Sequence, residues 1–409
     1  MEAATSFFLT LVFTVSTIYR LQTVHLDPLQ LVLVGTVLEA TCFLFEVPTG
    51  VVADTFSRRL SIIIGTFLLG AGIGLEGYIP TFAVVLLGQV VSGIGYTFLS
   101  GATQAWIADE VGEEHLGPVF IRAGQLGQAG GILGLLASVA IGSVQIGLPI
   151  VLGSALTMAL AILLVFIMPE TGFKPTPRED RTTWQAMGHT FTQGVGAVRR
   201  QPRLATFLVI EAFFGLASEG WDRLAEAHLL LNFTFPQIGS LSFQPIVWLG
   251  AINLVGSLLA IGASEIARRR IKIARRDIMV KTITVLAALR IASTLLFALA
   301  GSFAWALVGR WSRSMFGSVE QPLYGAWVTQ SIDSQVRATV LSMTSQINAV
   351  GQIAGGPIMG GIAKLVSVPA AIAVSGLVLA PVLPLYGRAH RQGEDHDAGL
   401  AEAAVAVEV

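Results

Sequence analysis

Residues 50–59 read Gly50-Val51-Val52-Ala53-Asp54-Thr55-Phe56-Ser57-Arg58-Arg59, a glycine and a knot of charge between two long apolar stretches. Residues 29–53 on one side and 60–79 on the other are predominantly hydrocarbon. Each reaches the ~20 residues that an α-helix needs to cross a bilayer core about 30 Å thick. The ten residues are therefore a short charged turn between two spanning helices. Its arginines mark its side, because basic residues are retained on the cytoplasmic face.

The same alternation of apolar runs with charged or Pro/Gly breaks fills the rest of the chain. Of its 409 residues 53% are hydrophobic and 12% charged, with a mean hydropathy of +0.72, a balance that excludes an ordinary soluble surface. Runs near 3–23, 29–53, 60–79, 82–107, 118–141 and 148–168 predict six spans, and 204–231, 243–264, 278–300, 303–330, 338–362 and 369–387 predict six more. The expected fold class is an all-α membrane protein of twelve transmembrane helices in two six-helix bundles, 1–168 and 204–388. A polar linker over 169–203 joins them, and an acidic, alanine-rich tail over 389–409 is expected to be unstructured. The first run lacks a basic flank and a small-residue cleavage site, so it reads as a retained helix. Cys42, the single cysteine, has no partner for an intramolecular disulfide.

With both termini cytoplasmic, Arg58, Arg59, the linker, Arg268, Arg269, Arg270, Lys272, Arg275, Arg276, Arg337, Arg388 and Arg391 all fall on the cytoplasmic side. Only Arg20 and Lys364, at span ends, fall opposite. An internal repeat appears at an offset of 221 residues: Ala105-Trp106-Ile107 meets Ala326-Trp327-Val328. Without a gap, Val119, Gln125, Gly130, Ile132 and Gly134 then meet Val340, Gln346, Gly351, Ile353 and Gly355. Spans four and five thus correspond to spans ten and eleven. A parallel six-plus-six duplication is a common secondary-transporter architecture, with the substrate site near the midplane.

The turn at 50–59 resembles the signature of the major facilitator superfamily, Gly-x-x-x-Asp-Arg-x-Gly-Arg-Arg/Lys, at Gly50, Asp54, Arg58 and Arg59, with Thr55 and Ser57 departing from it. The lead-in Phe45-Glu46-Val47-Pro48-Thr49 is similar to that of bacterial drug:proton antiporter-like efflux members. The resemblance implies a breakable cytoplasmic latch, in which Asp54 faces the start of span eleven near Ala338 and Thr339 and Asp109 partners an arginine. It also implies a monomer in the bacterial cytoplasmic membrane that handles a small-molecule substrate and protons. Gly127, Gly130, Gly131 and Gly134 partly match the family's fifth-span glycine and proline pattern, whose clearest form here is Gly355-Gly356-Pro357-Ile358-Met359-Gly360-Gly361. Close packing and a gating hinge explain these glycines equally well. Gln89 stands where the fourth-span motif usually carries a basic residue.

Ionisable groups inside spans are costly unless paired or facing water, which makes them functional candidates. At ~1.5 Å per residue, Glu39 lies about 15 Å into span two and Glu211 about 12 Å into span seven, both near the midplane. Burial favours the neutral form of a carboxylic acid, so either can load and release a proton as access alternates, Glu39 being the first choice. The plainer reading is a permanent ion pair or a hydrogen-bonded acid. Arg310, Arg313, Gly317, Glu320 and Tyr324 share a face of span ten that must line a cavity, with Glu320 a third coupling candidate. Arg290 is a further partner, and Trp311 or Gln89 is placed to contact cargo. Arginine there is either a counter-ion or a site for an anionic cargo. Glu219, Asp222 and Arg223, beside Trp221 and Glu226, read as an outer gate or as a solvated helix end.

The six histidines show no helical ligand pair, and there is no CxxC, HExxH or phosphate-binding loop, so no metal, cofactor or ATP hydrolysis is expected. No nucleophile–base pair marks an enzyme, and no nucleic-acid partner is expected. The reading that follows is proton-coupled efflux of small amphipathic molecules. Uptake of a small organic anion by a symporter of the same fold is the alternative, and a non-transporting membrane enzyme or receptor a remote one.

Overall fold

The computed structural model describes residues 1–173, 196, 198, 201–237, 243–270, 276–332 and 337–407, and among them every regular element is a helix. The first half contains α1 (Glu2–Gln22), α2 (Pro28–Thr55), α3 (Arg58–Tyr78), α4 (Phe82–Leu99), α5 (Ala102–Val111), α6 (Leu116–Gly142) and α7 (Leu148–Ile167). The second contains α8 (Pro202–Asn232), α9 (Pro245–Arg270), α10 (Arg276–Ala298), α11 (Phe303–Gln330), α12 (Arg337–Leu365), α13 (Val368–Val378) and α14 (Val382–Val407). Taking α4 with α5 and α13 with α14, these are twelve spans at the places the hydropathy predicts.

Local chemistry sets the boundaries. Asp27 and Gln30 form a reciprocal capping box at the start of α2, and Ser57 accepts from the Leu60 amide to cap α3. The fourth span breaks where Gly101 takes φ +73°, a backbone state costly for residues with a Cβ. The twelfth breaks at Pro381, which has no amide proton to give.

Among the described residues, ten spans are long and apolar enough to cross a membrane. The other two, α11 and α12, have the length, at 28 and 29 residues, but more polar sequences. Arg310, Arg313 and Glu320 interrupt α11, and Ser345, Asn348 and Gln352 interrupt α12. Of these, Arg313, Glu320, Asn348 and Gln352 line a polar cavity, which explains much of the polarity of the two helices.

The chain divides into two compact units, Met1–Thr183 with Glu226–Leu254, and Trp184–Ala225 with Val255–Val409. The sequence halves differ from this division at 226–254, which groups with the first unit: Ala227 packs with Leu26, Leu31, Val34 and Val85, and Gln244 donates to the Ser143 carbonyl at 3.2 Å. Most of the 169–203 linker, including Lys174, Arg178, Glu179, Asp180, Arg181, Arg199 and Arg200, lies outside the described residues, as do Lys272 and Arg275. The backbone of α14 stays helical to Val407, where the sequence suggested an unstructured tail from 389. Alanine, leucine and glutamate, frequent there, are strong helix formers.

Glycines of the repeat do the same work in both units. In the first, a Cβ on Gly130 or Gly134 of α6 would strike the α1 backbone at Ala3 or Phe7. In the second, a Cβ on Gly351 or Gly355 of α12 would strike the α8 backbone at Ala212 or Leu216, at 2.7 and 2.5 Å. Close backbone approach is the role that small residues play at helix crossings in a bilayer. Trp327, from the repeated tryptophan pair, is buried in the second unit's core, edge-on to Phe207 at 5.1 Å.

Candidate functional site

A polar cavity of about 360 Å³ lies wholly within the second unit. Helix α8 lines it with Glu211, Phe214, Ser218 and Asp222, residues three, four and four apart and so on one face. Arg290 enters from α10, Arg313, Glu320, Gln321 and Tyr324 from α11, and Asn348 and Gln352 from α12.

Three arrangements organise the charges. First, Arg290 and Glu320 form a buried ion pair, Nε to Oε2 at 2.9 Å, with side chains 7% and 1% exposed. The Tyr386 hydroxyl donates to Glu320 Oε1 at 3.2 Å, and the Arg290 guanidinium lies over the Phe214 ring. Pairing and added hydrogen bonds are what make buried ions tolerable. Second, Arg313 stacks 3.8 Å from the Trp221 ring centroid and donates through Nε to Thr294 Oγ1 at 3.2 Å. A planar, weakly hydrated guanidinium suits such a face, and Asp222 is close enough to feel its charge. Third, Glu211 Oε2 accepts from Asn348 Nδ2 at 2.9 Å, and Gln352 Nε2 in turn donates to Asn348 Oδ1 at 2.9 Å. Among the described residues no cation pairs with Glu211. A carboxyl held by neutral groups beside a cavity is placed to exchange a proton or contact a solute.

The structure thus gathers Glu211, Asp222, Arg290, Arg313 and Glu320 around one space, and separates them from other sequence candidates. Arg310 and Trp311 are not among the described residues lining it, and Trp311 instead packs beside Gly256. Glu219, grouped with Asp222 at an outer gate by the sequence, is buried and 3.4 Å from Arg223. Glu39 sits half-buried on α2 in the first unit, within electrostatic reach of Cys42 and of Tyr96 on α4. The charge-based sequence reading does not reach Asn348 and Gln352. An amide pair four residues apart in a spanning helix is the signal for them.

In the first unit, Gln89 is buried and donates to Glu76 Oε2 at 3.3 Å. Arg20 grips the same carboxylate with Nε at 2.6 Å and Nη2 at 2.8 Å. Tyr19 adds a hydrogen bond to the Glu76 carbonyl at 3.0 Å. This network ties α1, α3 and α4 together, and the sequence reading missed Glu76. Both charges sit near helix ends, where depth alone suggests a solvated position.

The turn expected over 50–59 is confined to Phe56 and Ser57, because Gly50–Thr55 continue α2 and Arg58 opens α3. There Arg58 bonds the Asp109 carboxylate and donates to the Ala105 carbonyl at 2.9 Å. Arg59 donates to the Val165 carbonyl. The start of the linker also joins in. Glu170 accepts from Ser57 Oγ at 2.7 Å and from the Arg59 amide at 2.9 Å, placing a carboxylate at the N-terminus of α3. Trp106 Nε1 donates to the Pro169 carbonyl at 2.8 Å, and Glu110 accepts from the amides of Thr171 and Gly172. Asp54 is half-buried, and Gly50 has open space around its Cα. Of the two residues expected near Asp54, Ala338 has its side chain outside the described residues, and Thr339 belongs to the second unit.

Comparison with known proteins agrees with this architecture. The family model described as Major Facilitator Superfamily matches residues 2–289. An MFS-type transporter of Bacillus subtilis (strain 168), YxaM, is 23% identical over 363 residues, covering 88% of this chain and 87% of that protein. Among solved structures, the nucleoside transporter NupG superposes with a TM-score of 0.70 at 15% identity, covering 96% of this chain and 98% of that one. A POT family transporter in complex with a thioalcohol-conjugated peptide gives 0.68 at 13% identity, covering 95% and 96%. A bacterial homologue of the human lysosomal transporter Spinster, inward-facing and unoccupied, gives 0.68 at 15% identity, covering 96% of each. At these identities the structural likeness speaks for the fold.

Proposed function

Since the chain belongs to the major facilitator superfamily, we propose that it is a proton-linked secondary transporter exporting small polar or amphipathic organic molecules, with the second unit's cavity holding cargo and Glu211 holding the proton. The observation that carries this reading is a carboxylate on a polar cavity inside spanning helices, met by the neutral amide of Asn348 rather than by a cation. Ionised and protonated Glu211 differ by one full charge on a cavity enclosed by spanning helices, where charge differences weigh more than in bulk water. Cargo and proton therefore compete for the site, and antiport requires that competition. Arg290 and Glu320 neutralise each other and act as a fixed wall. The amides of Gln321, Asn348 and Gln352 offer donors and acceptors to a polar solute.

We place the protein in a bacterial cytoplasmic membrane with both termini inside, on the strength of the basic residues that flank its spans. Its latch is assigned to the Arg58–Asp109 pair together with Asp54. Arg313, lining the cavity, favours a second reading in which the cargo is a small organic anion carried inward with the proton.

Direction and coupling are tested together in everted membrane vesicles with an acid interior, using a panel of fluorescent amines and labelled organic anions. The proposal expects uptake of at least one amine into those vesicles above a vector control, abolished by a protonophore. Proton-driven accumulation of an anion in right-side-out vesicles alone would replace it with the second reading. No protonophore-sensitive transport of any compound in either orientation would contradict both.

A further inference from the structure

The second unit carries another cluster of chemically active side chains, at the helix ends where α10 begins and α14 continues past the span. Asp277 lies in the first turn of α10, and His390 and Glu394 stand one turn apart on α14. His390 Nε2 is 3.0 Å from Asp277 Oδ1 and 3.5 Å from Glu394 Oε1. One donor atom from each of the three residues lies within 4.8 Å of the other two. An N–H on one ring nitrogen points in a single direction and cannot serve both oxygens well. Two carboxylates therefore converge on one nitrogen, and a cation among them would satisfy all three.

The spacing suits such a cation. Ligands bonded at about 2.1 Å to one metal stand about 3.0 Å apart at right angles and about 3.4 Å apart at the tetrahedral angle. One imidazole nitrogen with two carboxylate oxygens is the donor set of first-row divalent ions, harder than a thiolate site and softer than an all-oxygen calcium site. His390 is 20% exposed and the two carboxylates 60% and 61%, so water can complete the coordination shell.

We propose that Asp277, His390 and Glu394 form a site for a first-row divalent cation of the zinc or cobalt type. Spacing along the sequence hides it, because Asp277 arrives from a helix far from His390 in the chain and the second carboxylate replaces the second histidine of a familiar pair. A bound ion would clip the start of α10 to α14 and stabilise the second unit by binding only its folded form. The site lies outside the cavity and is independent of the transport reading.

The test uses the full chain, purified in detergent without a histidine tag, stripped with a chelator and titrated with Co²⁺ alone. The proposal expects saturable binding of one ion, a change in the cobalt absorption spectrum and a rise in unfolding temperature. His390→Ala should weaken binding by more than about tenfold, and Asp277→Asn should weaken it without removing the histidine. His115→Ala, at an exposed histidine elsewhere, should bind as the parent does. Equal cobalt spectra for the parent and His390→Ala would overturn the site. So would an unfolding temperature that follows pH but ignores cobalt, which would leave the cluster an ion pair only.

Discussion

Arg290 and Glu320 show what a buried charge demands of its neighbours. With side chains 7% and 1% exposed and 2.9 Å apart, each depends chiefly on the other and on its hydrogen bonds for compensation. Removing one partner, as in Arg290→Met, should cost about 3–5 kcal/mol of stability. Arg290→Met combined with Glu320→Leu should recover most of that loss while leaving transport impaired, read from unfolding temperature and transport rate together. Glu170 allows a milder test. Glu170→Gln removes a charge from the N-terminus of α3 and should cost about 0.3–1 kcal/mol, visible as a small fall in unfolding temperature. Sequence depth identified Glu211, Arg290, Arg313 and Glu320 because a charge deep in an apolar run has few explanations. It passed over Glu76 and Glu170 because charges at helix ends are ordinary, and what sets these two apart is their partners, Arg20 and Ser57, distant in the chain.

Helices were legible for a different reason. An apolar run of bilayer length that starts at a cap such as Asp27 or Ser57 has one stable solution in lipid, since every backbone group must be bonded within the segment. The repeat at 221 residues marked which glycines matter without saying why. The structure shows that Gly130 and Gly351 let α1 meet α6 and α8 meet α12 at backbone distance. Gly351→Val should therefore destabilise the second unit by about 1–3 kcal/mol through overpacking. Gly124→Ala, with open space around it, should stay within about 0.5 kcal/mol of the parent. Equal thermal stability of the two variants would remove close approach as the role of the repeated glycines.

At the scale of the whole molecule, the pattern of spans and the 50–59 turn were enough to indicate twelve helices and the family. Neither shows which side chains share a cavity, because that depends on the rotation of each helix about its axis. Residues 226–254 illustrate the limit: they lie within the second half of the sequence yet group with the first unit. The central claim is that one acid, Glu211, couples cargo to the proton, and it is tested by comparing wild-type and Glu211→Gln protein in proteoliposomes with and without a pH gradient. The account predicts that Glu211→Gln still exchanges labelled for unlabelled cargo at equal pH but no longer concentrates it when the gradient is imposed, whereas Glu39→Gln retains concentrative transport. Wild-type concentration of cargo by Glu211→Gln would contradict it.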